Sequence, residues 1–296
     1  MTSEGRCKHT AALPPAGRNP YISPMRELTD AEVDRYARHL VLPEIGEAGQ
    51  ARLLDSRVLV IGAGGLGAPI LMYLAAAGVG TLGVVDDDSV DLSNLQRQVI
   101  HRTADVGRPK VESAADFVRA LSPAIRVEPH PARFTRDNAL ALVGAYDLVV
   151  DGSDNFATRY LANDACYLAG RTLVSAAIMR FDGQLSTFRA HRHDGSPCYR
   201  CLFGPQGEDP KESCADVGVL GALPGVMGAL AAIEVVKELL GQGETMSGRL
   251  LLYEALSTTF RTVRAKQDPG CELCGPRATI RDLGAVDYSP RACAAE

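Results

Sequence analysis

The chain has 296 residues, 46% hydrophobic and 23% charged, enough for one large α/β core or two ordinary ones, and this composition excludes a disordered or fibrous chain. Its formal net charge is −5 with acidic and basic residues interspersed, so it carries no electrostatic footprint for nucleic acid or an anionic membrane. Eight cysteines without a secretory leader are expected of a protein of the reducing cytoplasm.

Residues 1–24 are rich in Pro, Gly and Thr and lack an apolar run, so they read as a disordered extension with Met25 as a second candidate start. Thr29-x-x-Glu32 is a capping box that opens a helix running to Leu40. Val58 to Val85 carries no charged side chain and on length alone would satisfy a membrane span. Its glycines break that reading. VLVIGAGGLG is a short strand ending in a turn, APILMYLAAAG a helix and VGTLGVVD a second strand, the first βαβ unit of a doubly wound sheet. Lys110 to Leu121 reads as helix, Tyr146 to Asp151 as a buried strand and Thr158 to Ala169 as helix.

Beyond this the pattern changes. Leu173 to Ala190 predicts one buried strand followed by a strand pair turning at Asp182-Gly183. The apolar stretch Val217 to Ile233 is interrupted by Pro224 and glycines and turns amphipathic at Glu234, Lys237 and Glu238, so it predicts a buried helix rather than a span; RLLLYEA is a further strand. With no repeat and no linker, residues 25–296 read as one domain. Its expected fold is Rossmann-like and doubly wound, a mostly parallel sheet continuing into antiparallel strands.

Two Cys-x-x-Cys pairs, Cys198/Cys201 and Cys271/Cys274, each offer half of a tetrahedral zinc site. Some 70 residues separate them, so the ion would staple two remote segments. Four sulfur ligands leave no position for water, which makes such a site structural; the alternatives are two disulfides or a redox pair. Gly62-x-Gly64-x-x-Gly67 brings backbone amides and a helix N-terminus to a phosphate, and Asp86 at the end of the next strand suits ribose hydroxyls. Taken alone, this loop favours an NAD(P)-dependent oxidoreductase. Ser93-Asn94-Leu95-Gln96-Arg97 and Lys110 shift the balance, because an amide and two cations beside the loop suit a triphosphate. Asp151, Asp154 and Asn155 follow another strand at the carboxyl edge, where two oxygen ligands can hold Mg²⁺. Each of these residues also has a plain reading, Arg97 and Lys110 as solvated charges and Asp154 as a helix cap.

GAGGLGAP, DLSNLQRQ, GRPKVESA, DGSDNFATR, PCYRC, SCADVGVLGALPGVMG and GCELCG, in this order along the chain, resemble the MoeB/ThiF family, relatives of ubiquitin-activating enzymes. The likeness runs from about Leu28 to Gly275. It implies ATP-dependent adenylation of the C-terminal glycine carboxylate of a ubiquitin-like sulfur carrier with a Gly-Gly end, giving acyl-AMP and pyrophosphate. The carrier would be MoaD-like, in molybdenum-cofactor synthesis, or ThiS-like, in thiamine synthesis. By similarity Gly65 packs on the nucleotide, Asp86 holds the ribose, Asn94, Arg97 and Lys110 bind the phosphates, and Asp154 binds Mg²⁺ with Asn155 beside it. Arg35 and Arg38 share a helix face and would ordinarily be solvated. In the family the second of these arginines reaches the ATP site of a partner subunit, which implies a homodimer and makes Arg38 a site residue. Cys214 lies in a polar loop before the apolar helix and is the remaining candidate for a reactive thiol, with a spare thiol as the alternative. Cys7, Cys166 and Cys293 have no partner at metal spacing and are assigned no role. Relatives with a C-terminal rhodanese domain supply their own sulfur; here a separate sulfurtransferase or cysteine desulfurase is expected. A non-catalytic scaffold or a relative acting on tRNA is the third class, disfavoured by the intact charged residues and the negative charge.

Overall fold

A computed structural model describes residues 26–206 and 218–289. The extension at 1–24 and Cys7, Cys214 and Cys293 lie outside the described residues. Helices α1 (Asp30–Leu40) and α2 (Gly46–Asp55) precede β1 (Arg57–Ile61), α3 (Gly67–Ala77), β2 (Thr81–Val85), α4 (Lys110–Leu121), β3 (Arg126–His130), α5 (Arg136–Gly144), β4 (Leu148–Asp151) and α6 (Phe156–Leu168). There follow β5 (Thr172–Met179), β6 (Asp182–Phe188), α7 (Tyr199–Phe203), α8 (Leu223–Leu240), β7 (Arg249–Glu254) and β8 (Thr259–Arg264).

The eight strands form one sheet in the order β3-β2-β1-β4-β5-β6-β7-β8. The first five are parallel and the last three run antiparallel. The central parallel strands are apolar on both faces because both are covered. Val58, Val60, Leu82, Val84 and Val150 pack under α3, α4 and α8, whereas Leu59, Ile61, Val85 and Val149 pack under α5 and α6. Connections leave β1 to α3 on one face and β4 to α6 on the other, so β1 and β4 flank the switch point at the carboxyl edge, the place where open α/β sheets bind ligands.

Local chemistry sets the element ends. Thr29 and Glu32 form the expected capping box of α1, and α3 stops at Gly78 in the left-handed conformation, φ +86°. Tyr36 of α1 packs into the space left by the missing side chain of Gly78, where a Cβ would come within 2.6 Å of the ring. Arg35 is not merely solvated: its Nη2 donates to Leu121 O at 2.7 Å and so caps α4.

The region after β4 departs from expectation. Residues 172–188 form two strands, not three, and the chain turns at Arg180-Phe181, with Arg180 at φ +55°, instead of at Asp182-Gly183. Gly183 is inside β6, where its missing side chain makes room for α8, since a Cβ there would lie 2.5 Å from Met227 Sδ. Helix α2 and the edge strands β3 and β8 carry charged or exposed residues and have no apolar periodicity to announce them. No helix among the described residues is long and apolar enough to cross a membrane.

Candidate active site

The glycine loop lies between β1 and α3 at the carboxyl edge of the sheet, and its glycines do different things. Gly62 has φ +92° and lies against Gly152, and a Cβ on Gly67 would meet Gly62 O at 1.9 Å, so these two permit the turn and the close approach of helix to strand. Gly64 and Gly65 are less constrained. Among the described residues no acceptor is found for the amides of Gly64, Gly65 and Leu66. These donors, at the start of α3, are what an anion would meet. The loop is braced from two sides. Ala63 N–H donates to Asp86 Oδ2 at 2.8 Å, and Ala63 O is 3.0 Å from Nε2 of buried His101, whose Nδ1 lies 2.8 Å from Ser113 Oγ. Burial pushes the Asp86 carboxyl up and the His101 imidazole down.

A cleft of about 570 Å³ opens over this loop, lined among others by Gly62, Gly64, Gly65, Asp86, Ser93, Asn94, Arg97, Lys110, Asp154 and Asn155. Most of the sequence-predicted nucleotide residues therefore converge on one cavity of ligand size. Lys110, at the start of α4, is buried, and its Nζ donates to Asp88 Oδ2 at 2.7 Å. Its charge is thereby oriented and partly neutralised by Asp88 at the edge of the cleft. Arg97 donates to Ser93 O at 3.1 Å. Ser93 and Asn94 also build their own turn: Asp91 accepts from the Ser93 hydroxyl and amide, and Asn94 Oδ1 accepts from Asp91 N–H. The amide nitrogen of Asn94 is the part left for a ligand.

Four described residues of the expected set stay outside the cleft lining. Gly67 acts through packing, and Leu95 belongs to the turn. Gln96 packs on the segment leading into α8, where a Cβ on Gly221 would meet its O and Oε1 at 2.3 and 2.4 Å. Arg38 is exposed on α1 and does not line the cleft of its own chain.

At the end of β4 the acidic residues divide. Asp151 is fully buried and accepts from Ser153 N–H, Ser153 Oγ and Ser175 Oγ, and burial pushes its carboxyl up. These bonds make it a brace for the loop. Asn155 is the N-cap of α6, accepting from Thr158 N–H at 2.8 Å, so the cap is not Asp154. Asp154 is exposed and, among the described residues, is held only by Asn155 Nδ2 at 3.5 Å, so its carboxylate is accessible to a cation.

Sequence reasoning missed Asp88, Gln98 and Arg159. Asp88 stands in the visible run Asp86-Asp87-Asp88, whose carboxylates lie within 4.8 Å of one another. Gln98 was legible only as part of the motif around Arg97. Arg159 looks like an ordinary helix residue, yet it is buried, donates to Ser153 O at 3.1 Å and lines the cleft.

The four cysteines meet as their spacing predicts. Sγ separations are 3.8 Å for Cys198–Cys201, 3.5 Å for Cys198–Cys271 and Cys198–Cys274, and 3.3 Å for Cys201–Cys274. Zn–S bonds of about 2.3 Å in a tetrahedron place sulfurs about 3.8 Å apart, so the cluster fits that ion with a small expansion. All four thiols are free, which removes the disulfide alternative for this arrangement. Hydrogen bonding among the four thiols draws Cys201 and Cys271 down, toward the thiolate a metal requires, and pushes Cys198 and Cys274 up, so the proton load is shared unevenly within the cluster.

A doubly wound sheet with a glycine-loop cleft, convergent cations and a four-cysteine staple defines a nucleotide-binding enzyme scaffold. The ThiF family model matches residues 36–273, and the chain belongs to that family. It is 51% identical over 265 residues to the sulfur carrier protein adenylyltransferase of Thermus thermophilus, covering 88% of this chain and 96% of that protein. It is 52% identical over 263 residues to the SAMP-activating enzyme E1 of Haloferax volcanii, with 88% and 95% covered. The Bos taurus adenylyltransferase and sulfurtransferase MOCS3 is 51% identical over 88% of this chain, which spans 57% of that longer protein. Among solved structures, E. coli MccB superposes with a TM-score of 0.71 at 21% identity over 82% of this chain and 73% of that one, a likeness of fold.

Proposed function

We propose that the chain uses ATP to adenylate the C-terminal glycine carboxylate of a ubiquitin-like sulfur carrier, releasing pyrophosphate. The observation that carries this reading is the buried Lys110 ammonium, held on Asp88 beside a loop of unpartnered amides, with Arg97 on the same cleft. A nicotinamide oxidoreductase leaves the combination of Asn94, Arg97 and Lys110 unexplained, and adenylyltransferase relatives half identical to this chain support adenylation.

The attacking carboxylate is ionised at neutral pH, so no general base is required. Its oxygen attacks the α-phosphorus, the bond to the bridging oxygen breaks, and the electron pair leaves with pyrophosphate. The protein's part is positioning and charge neutralisation. Loop amides and the Asn94 amide nitrogen hold phosphoryl oxygens, Asp86 accepts from the ribose, and Arg97 and Lys110 offset charge gathering on the leaving group. Asp154 holds Mg²⁺, which supplies further neutralisation of the phosphates when bound. Zinc at Cys198, Cys201, Cys271 and Cys274 is structural. Arg38 completes the site of a second copy, which makes a homodimer the catalytic unit.

ATP–pyrophosphate exchange tests the reading, run with the protein alone and with MoaD-like and ThiS-like carriers, with Asp154→Ala as control. Exchange that needs one carrier and falls at least about 100-fold in the variant is expected; the carrier that supports it assigns the pathway. Exchange without any carrier, or with none of them, overturns the proposal. Arg38→Ala mixed with Asp154→Ala should regain activity that neither shows alone.

A further inference from the structure

Gln98 follows Arg97 yet is 3% exposed, and its buried side-chain Oε1 has no hydrogen-bond donor among the described residues. The backbone around it is fixed, Gln98 N–H donating to Asn94 O at 2.9 Å and Gln98 O accepting from His101 N–H at 3.1 Å. The side chain lines the cleft, and its Nε2 is the nearest atom, at 3.6 Å, to the place a Cβ on Gly64 would occupy. A buried acceptor with no donor weakens the free protein, so a partner arriving with the substrates is the economical explanation.

The chemistry of the substrates selects that partner. A triphosphate offers acceptors only and cannot satisfy Oε1. The ribose hydroxyls have Asp86. A primary amide presents a carbonyl and an N–H side by side, the complement of a peptide end, and Gly64 leaves no side chain between them. We infer that Gln98 grips the carrier's C-terminal peptide, its Oε1 accepting the N–H of the last peptide bond and its Nε2 donating to the terminal carboxylate that attacks ATP. The inference rests on the adenylation reading and names a residue that orients the nucleophile.

The test pairs Gln98→Met, close in volume but without the amide, with a Gly-Gly carrier whose last residue is replaced by sarcosine, which lacks that N–H. A non-hydrolysable ATP analogue should bind the variant within about 2-fold of wild type, while carrier-dependent kcat/KM in exchange falls about 10- to 100-fold. The sarcosine carrier should lose part of that factor on wild type but little more on Gln98→Met, because the variant no longer has the acceptor that the missing N–H would meet. The Tm of the free variant should equal or exceed that of wild type, since the orphaned acceptor is gone. Equal weakening of the ATP analogue would assign the amide to the nucleotide and overturn the inference. So would additive losses, or a wild type that takes the sarcosine carrier as readily as the natural one, an arm that needs no variant. Wild-type exchange with no carrier at all would instead sink the adenylation reading on which this stands.

Discussion

Helix α6 joins two regions that treat polar groups in opposite ways. At its N-terminal end, facing the cleft, buried or oriented groups are left open: the Gly64 and Gly65 amides, Gln98 Oε1 and Arg159 Nε. Near its C-terminal end, by the cysteines, the Asp164 and Asn163 side chains are fully engaged, and Arg171 Nε just beyond the helix is the exception. Asp164 takes Arg200 Nε at 2.9 Å, Arg200 Nη2 at 2.6 Å and the Tyr288 hydroxyl at 2.7 Å, and Asn163 Oδ1 accepts Tyr199 N–H at 2.8 Å. Arg200 and Tyr199 lie between Cys198 and Cys201, so the network holds one half of the cysteine cluster on the sheet. Unsatisfied groups mark where a ligand is expected and satisfied ones where the chain is secured.

The contrast is sharpest in what substitutions should do. Removing a cysteine ligand should cost stability first. Cys271→Ala is expected to abolish stoichiometric zinc in metal analysis and, since structural zinc supplies about 10 kcal/mol to folding, to leave a chain that does not unfold cooperatively. Retained zinc and an unchanged Tm would show that the cluster is not a staple. Lys110→Met should do the reverse, because its partner Asp88 is largely exposed and can be solvated when the cation goes. Exchange is expected to fall about 100- to 1,000-fold with a stability change under about 1 kcal/mol. A collapse in Tm with activity per folded molecule preserved would move Lys110 to the structural side.

Within the loop itself the glycines provide a finer comparison. Gly67→Ala forces a methyl onto Gly62 O and should destabilise by about 2–3 kcal/mol, whereas the Cβ of Gly64→Ala has only Gln98 Nε2 nearby, at 3.6 Å, and should cost about 1 kcal/mol or less while weakening substrate binding. Chemical denaturation and calorimetric binding on the two variants separate these outcomes. Equal stability losses would mean that the loop tolerates no side chain anywhere.

This division also explains what was legible in the sequence. Motifs whose chemistry depends on short spacing were readable: the glycine loop, the capping box at Thr29, the cysteine pairs, and Lys110 at the first turn of a helix whose ends at 110 and 121 followed from its apolar period. Residues whose role depends on depth were not. Asp151 and Asp154 are three apart and chemically alike, but the strand buries one among serine hydroxyls and the turn releases the other. Gln98 and Arg159 owe their importance to burial beside a cleft, for which one-dimensional spacing has no signal. The hairpin was misplaced because Asp182-Gly183 has turn chemistry, while Gly183 is used to admit Met227.

The buried acid at the end of β4 allows the smallest and most discriminating test. Burial raises the Asp151 carboxyl above its unfolded value, so over the range between the two the folded state holds more protons than the unfolded one. Its contribution to stability is therefore fully present below the unfolded pKa and is lost as pH rises through the folded pKa. Asn at this position keeps an acceptor for Ser153 and presents an amide that Ser175 can accept from, but it has no proton to lose. The stability of Asp151→Asn relative to wild type should consequently increase as pH rises from about 4 and level off above the folded pKa. Asp86, raised for the same reason, is common to both proteins and cancels in the difference. A difference that instead shrinks as pH rises would mean that the three hydrogen bonds stabilise the carboxylate more than burial penalises it, and Asp151 would then be a charged brace of the loop and not a strained one.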